Sequence, residues 1–202
     1  MAQVKLTKTE LRVQQDKFAQ LEKYLPTLQL KKALLQAEIN QALSEVEALQ
    51  KELFKQEGTL EKSASLFSER GIESLFSAVI VKELSISHEN VAGVDIPLLD
   101  KVVFQEADYS LFDTPIWYES AILQVRELLI CKEKVKIAEQ KKAALEKELR
   151  EVSIRVNLFE KVMIPRAIEN IKKIKIFLGD QQLASVSQSK VAKKKILGEE
   201  AL

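Results

Sequence analysis

The sequence predicts a mainly α protein, a long antiparallel two-helix coiled coil carrying a small α/β-hairpin foot, and three observations lead there. Turn-forming residues are scarce. The 202 residues include 5 Gly and 4 Pro, where average usage would give about 24 of the two together. Few turns mean few and long elements. Ala, Glu, Lys, Leu and Arg supply about half of the chain, which is a coiled-coil composition when it is periodic. It is periodic. Leu21, Leu25, Leu28, Lys32, Leu35, Ile39, Ala42, Val46, Leu49, Leu53, Gln56 and Leu60 follow one another at alternating steps of four and three. That is a heptad seam; a lone helix on a globular core would drift toward a period of 3.6.

The first helix is expected from residue 8 to about 69, capped by Thr7 or Thr9, with Glu10 three residues after Thr7 as a capping box requires. At ~1.5 Å per residue it would be about 90 Å long. Pro26 lies inside it, removing a backbone hydrogen bond and clashing with the preceding turn, so a kink or a short break is expected near Tyr24–Pro26, or a helix that starts there after a separate first segment. Gly58 and Gly71 loosen the far end. Residues 72–84 still read as helical, with Ile72, Leu75, Phe76, Val79, Ile80 and Leu84 apolar.

The character changes from Ser85 to Trp117. Gly93, Pro97 and Pro115 fall here, with Phe104, Tyr109, Phe112, Trp117 and, at the edge, Tyr118. Residues 99–105 read as a strand, 106–108 as a turn and 109–112 as a returning strand. A second long helix is expected from Pro115, a favoured first position, to about Leu178, before Gly179. Its seam is Leu145, Leu149, Val152, Val156, Phe159 and Met163. Pro165 should kink it, after which Ile168, Ile171, Ile174 and Leu178 resume an apolar face. A polar tail rich in serine, glutamine and lysine follows, continuing as weaker or induced helix. The expected divisions are therefore 1–71, 72–117, 118–178 and 179–202. Two such helices joined by one insert close into an antiparallel pair, a rod whose termini meet at one end and whose foot lies at the other. A rod buries little surface and leans on partners for stability.

Chemistry of the enzymatic kind is absent from the pattern. No phosphate-cradling GxxxxGK[ST] or GxGxxG, no HExxH and no CxxC occurs. His88 is the one histidine and Cys131 the one cysteine, so no multi-His metal site and no internal disulfide can form. His88 and Glu89 read as a solvated loop, and Cys131 as a small apolar seam residue. Asp95, Asp100, Asp108 and Asp113 read as turn caps and strand ends. A formal charge of +1 argues against a general nucleic-acid binder. The N-terminal residues hold no apolar signal core, and no run approaches the ~18 residues of a spanning helix. A cytoplasmic protein, or one peripheral to a membrane through a partner, is expected. Three features ask for more than a structural role: seven lysines against the single acid Asp180 over 172–195, the polar seam positions Lys32 and Gln56, and the aromatic-rich foot.

The stretch Arg155-Val156-Asn157-Leu158-Phe159-Glu160-Lys161-Val162-Met163-Ile164-Pro165 resembles the "RRVNALE…IP" segment of the D subunit of V-type (archaeal-type) ATP synthases. The helix from Ile168 through Ile171 to Leu178, and the ending Lys193-Lys194-Lys195-Ile196, are similar to the succeeding segments in that family. Asn90, Gly93 and Pro97 stand as in its "N..G..vP" segment, and Leu6-Thr7-Lys8-Thr9-Glu10-Leu11 stands where it has "PTR.eL". The departures are Leu158-Phe159 for "AL", the missing N-terminal arginine, and Pro26 where the family has continuous helix.

The resemblance implies a non-catalytic central rotor shaft without a cofactor. The end bearing the termini would enter the hexamer of A and B subunits, with Arg155, Asn157, Pro165, Lys193, Lys194 and Lys195 as contacts. The foot, with Phe104, Tyr109, Phe112 and Trp117, would bind the F subunit and the C (or d) subunit seated on the membrane ring. Two alternatives stay open on the residues alone. A prefoldin-type chaperone subunit shares two long helices and a hairpin, and a static scaffold shares the heptads. The gamma subunit of F-type synthases would need a larger middle domain than this insert.

Overall fold

A computed structural model describes residues 4–63, 72–105 and 114–199. In chain order these form α1 (Lys8–Ser63), α2 (Ile72–Ala78), β1 (Val81–Val91), β2 (Val94–Phe104), α3 (Tyr118–Leu158), a π-helical turn (Phe159–Met163) and α4 (Ile164–Glu199). The chain forms two compact units. One joins Met1–Lys31 to Val152–Leu202, and the other is Lys32–Glu151.

Helix α1 starts where its cap predicts. Thr7 Oγ1 accepts from the Glu10 amide at 3.2 Å, and the Thr7 carbonyl accepts from Leu11. The box is half closed, because the Glu10 carboxylate takes Gln14 Nε2 at 2.8 Å. The expected break at Pro26 does not occur: α1 runs through it. Pro26 and Glu22, whose carbonyl loses its donor, are both exposed, so water can satisfy that carbonyl and the cost stays local. Gly58 is also helical, with open space where a Cβ would stand. None of the twelve seam positions of α1 is exposed.

In the unit of residues 32–151, α1 and α3 run antiparallel. Leu35, Ile39, Ala42 and Val46 are buried on α1, and Cys131, Val135, Ala138 and Leu145 on α3, each set at heptad spacing. Lys141 Nζ meets Glu45 Oε2 at 2.9 Å, Gln50 Nε2 donates to Glu139 Oε1 at 3.2 Å, and the Cys131 thiol donates to the Leu49 carbonyl at 3.7 Å. Leu35 and Leu145 are fully buried, each contributing roughly 1.5–3 kcal/mol by leaving water.

The foot departs from the sequence expectation in its pairing. Residues 99–104 are strand, but their partner lies upstream. β1 pairs with β2 antiparallel, from Val81 opposite Phe104 to Val91 opposite Val94. The turn is Ala92-Gly93, with φ of 52° and 81°, the double positive φ of a type I′ hairpin. Asn90 secures it by accepting from the Gly93 amide at 3.1 Å and donating to Asp95 at 2.6 Å. The apolar run at 72–84 is thus helical only to Ala78, and Leu84 belongs to β1. The expected turn at 106–108 and strand at 109–112 lie outside the described residues. Leu75, Ala78, Val79, Tyr118, Ala121 and Ile122 form the foot's core, with Trp117, Val125 and Leu129 packed against it.

The second half of the helical pair continues into the tail. α3 begins at Tyr118, whose amide donates to the Pro115 carbonyl at 3.0 Å. Near Pro165 the chain forms a π turn in place of a simple kink, and α4 then passes through Gly179 to Glu199. In the unit built from 1–31 and 152–202, Val152, Val156, Ala167 and Ile174 are buried. Ile168, expected on that apolar face, is 50% exposed, and Ala167 takes its place.

Candidate docking surfaces

Among the described residues no group of His, Cys, Asp and Glu could hold a metal ion, and no charged side chain is buried. Cys131 is buried on the α3 seam. Burial, with Glu52 and Glu57 nearby, raises its thiol pKa against the opposing pull of Lys134. A thiol held protonated is a poor nucleophile. His88 sits exposed on β1 opposite Pro97. Asp100 accepts from Ser87 Oγ at 2.9 Å and Asp95 from Asn90, so these two aspartates tie the hairpin together. Asp108 and Asp113 lie outside the described residues. No helix among the described residues is long and apolar enough to cross a membrane.

The foot is organised by a residue that sequence reasoning passed over. Arg126, on α3, donates to the Ala78 carbonyl from Nε at 3.1 Å and from Nη2 at 2.7 Å, and to the Gln105 carbonyl at 3.3 Å. Its guanidinium lies over the Phe104 ring, 5.1 Å from the centroid. One planar cation therefore satisfies the end of α2, closes the base of the hairpin and stacks on an aromatic face. The Gln105 amide completes the closure by donating to the Ile80 carbonyl at 2.9 Å. An arginine inside a long helix carries no sequence signal for this; only the fold brings residues 78, 105 and 126 together.

Of the foot aromatics named from the sequence, Phe104 and Trp117 are half-buried, Trp117 tilted against Tyr118 with ring centroids 6.4 Å apart. Tyr109 and Phe112 lie outside the described residues. The exposed apolar surface is carried by other side chains. Phe76 is 67% exposed, Ile80 51% and Leu123 61%, and Ile116 stands fully in solvent. Phe76 and Ile80 rim an open groove of 460 Å³ floored by Leu60, Leu75, Val79, Val125 and Leu129. Its lining is almost wholly apolar, the character of an interface core.

In the unit that holds both ends of the chain, Arg155, Asn157, Pro165, Lys193, Lys194 and Lys195 are all exposed. They do not form one cluster: the first two are on α3, Pro165 is in the first turn of α4, and the lysines lie near its end. Around them Leu183, Val186, Val191 and Ile196 are more than half exposed, so the last part of α4 presents apolar and cationic side chains together. Where the π turn faces the N-terminal part of α1, an open groove of 810 Å³ is lined by Leu21, Tyr24, Leu158, Val162 and Met163, with Lys17 and Arg166 beside them. Farther along α4, Lys173 Nζ meets Glu169 at 2.6 Å, and that hydrogen bond holds the Glu169 carboxyl below its ordinary pKa.

The described residues thus define an antiparallel helical coiled coil with a β-hairpin, whose conspicuous exposed surfaces are apolar and cationic. Comparison with known proteins places it more closely: the sequence model of the ATP synthase D subunit family matches residues 10–194, and the chain belongs to that family. Relatives include the V-type ATP synthase D subunit of Chlamydia felis, 42% identical over 196 residues, covering 96% of this chain and 94% of the relative. Those of Chlamydia trachomatis and Chlamydia muridarum are 43% and 44% identical over 199 residues, covering 96% of this chain and 97% of each relative. The chain is accordingly a subunit of a V-type ATP synthase.

Proposed function

We propose that this subunit is the non-catalytic central rotor shaft, carrying torque between the membrane ring and the hexamer of A and B subunits. The observation that carries the reading is the α1 seam: twelve heptad positions from Leu21 to Leu60, none of them exposed. Torque transmission needs an element that resists twisting, and a long seam packed against an antiparallel partner supplies one. The end that holds both termini would enter the hexamer, with Arg155, Asn157, Pro165 and the lysines at 193–195 meeting its inner wall. Solvated lysines make exchangeable ion pairs, each worth about 0–1 kcal/mol, which suits a surface that must turn without locking. The foot, with Phe104, Trp117 and the groove rimmed by Phe76 and Ile80, would seat the F subunit and the C (or d) subunit above the membrane ring; Tyr109 and Phe112 belong to the same proposal. The shaft would bind no nucleotide or other cofactor, and it would be cytoplasmic and held at the membrane through its complex.

The test is omission. An A/B hexamer reconstituted on its membrane sector in vesicles without this chain should hydrolyse ATP but pump no ions, and adding the chain should restore pumping. Coupled pumping in its absence would overturn the assignment.

A further inference from the structure

The π turn marks a one-residue insertion in one helix of the pair. Before it, the seam positions fall at 152, 156 and 159, while Met163, expected on the seam, is 39% exposed. After it they fall at 167 and 174 and at 171 and 178. The step from 159 to 167 is eight where a heptad gives seven. The facing part of α1 shows no such jump: Leu11, Gln14, Phe18, Leu21, Leu25 and Leu28 are partly buried at strict steps of three and four.

Within Phe159–Met163 the ladder widens, and the Ile164 amide donates to the Phe159 carbonyl five residues back. A π turn is how a helix houses one extra residue without rotating its downstream face by 100°. The sequence holds this phase in place. In an unbroken α-helix the seam would continue through Arg166, Asn170, Lys173 and Phe177, three of them polar; with the insertion it continues through Ala167, Ile171, Ile174 and Leu178.

Pro165 fits the same device. In α geometry its ring would clash with the Lys161 carbonyl, and the widened turn lies directly before it. The turn is also short of donors: Ile164 donates to Phe159, and Pro165 after it has no N–H to give. Leu158, Val162 and Met163 are 39–50% exposed, so little packing compensates.

We propose that residues 159–165 form a compliant joint in the helical pair: a one-residue insertion stored as a π turn, which keeps the downstream seam in phase and yields under twist before the flanking heptads do. This goes beyond the shaft reading and does not depend on it.

Deleting one residue from a long helix normally turns every later side chain off its seam. Here, deletion of Val162 brings Phe159, Ile164, Ala167, Ile171, Ile174 and Leu178 onto steps of four and three. The full chain lacking Val162 and carrying Pro165→Ala should therefore melt, by circular dichroism, at or above the wild-type temperature. Deletion of Lys172, beyond the joint, moves Ile174 and Leu178 off the seam and should lower the melting temperature. A Val162 deletion as damaging as the Lys172 deletion would overturn the insertion. Compliance is read on the unaltered chain by hydrogen exchange. Amides at 160–164 should exchange about tenfold or more faster than those at 152–156 of the same helical run. Equal protection across both segments would overturn the joint.

Discussion

Arg126 shows how much one side chain can hold. It gives three hydrogen bonds to the Ala78 and Gln105 carbonyls and lies over Phe104. Arg126→Met leaves those carbonyls without their charged donor and should destabilise the chain by about 1.5–3 kcal/mol. Arg126→Lys can reach one carbonyl but cannot fork or stack, so it should recover less than half of the loss; urea denaturation of the two variants reads both numbers. Gly58 runs the other way. It is helical, and a Cβ placed there would meet nothing within 4 Å, so Gly58→Ala should raise stability by about 0.5–1 kcal/mol in the same titration. Thr7 and Glu10 were legible as a cap because capping is local chemistry. Arg126 was not, since its partners are 48 and 21 residues away.

At the scale of elements, the heptads were legible and the hairpin was half legible. A seam repeats its signal every seven residues, so single polar positions such as Lys32 and Gln56 do not erase it. β1 has no such redundancy. Its sequence, Val-Lys-Glu-Leu-Ser-Ile-Ser-His-Glu-Asn-Val, begins inside an apolar run that also fits a helix, and its turn uses alanine where asparagine is the usual signal. Tertiary pairing, closed at its base by Arg126, decides the case. An L-residue at positive φ is strained by roughly 1–2 kcal/mol, and asparagine bears that conformation more easily than alanine. Ala92→Asn should stabilise the hairpin by about 0.5–1 kcal/mol, seen as slower amide exchange across β1 and β2; no change or a loss would show that the φ of 52° is not a source of strain. Pro165 was legible as a disturbance. Its form as a π turn was not, because that depends on the uninterrupted phase of the facing helix.

For the whole molecule, the proposed contacts are of two kinds, apolar at the foot and cationic along the end of α4. Exposed ion pairs are screened over ~8 Å at physiological ionic strength. Replacing Lys193, Lys194 and Lys195 by Gln should therefore weaken association with the A/B hexamer at low salt and flatten its salt dependence. Circular dichroism of the isolated chain should stay unchanged, since all three side chains are exposed. Equal affinity and equal salt slope for the triple variant would remove these lysines from the interface.

Whether this subunit turns inside the hexamer is tested most directly by watching it. With Cys131→Ser to clear the buried thiol, His88→Cys on the exposed hairpin gives one attachment point for a bead. The hexamer of A and B subunits is fixed to a surface, the labelled chain assembled into it, and ATP supplied. A rotor shaft should give unidirectional rotation of the bead in ATP-dependent steps, stopping when ATP is withdrawn. A bead that stays fixed to the hexamer while ATP turnover continues would contradict the shaft role.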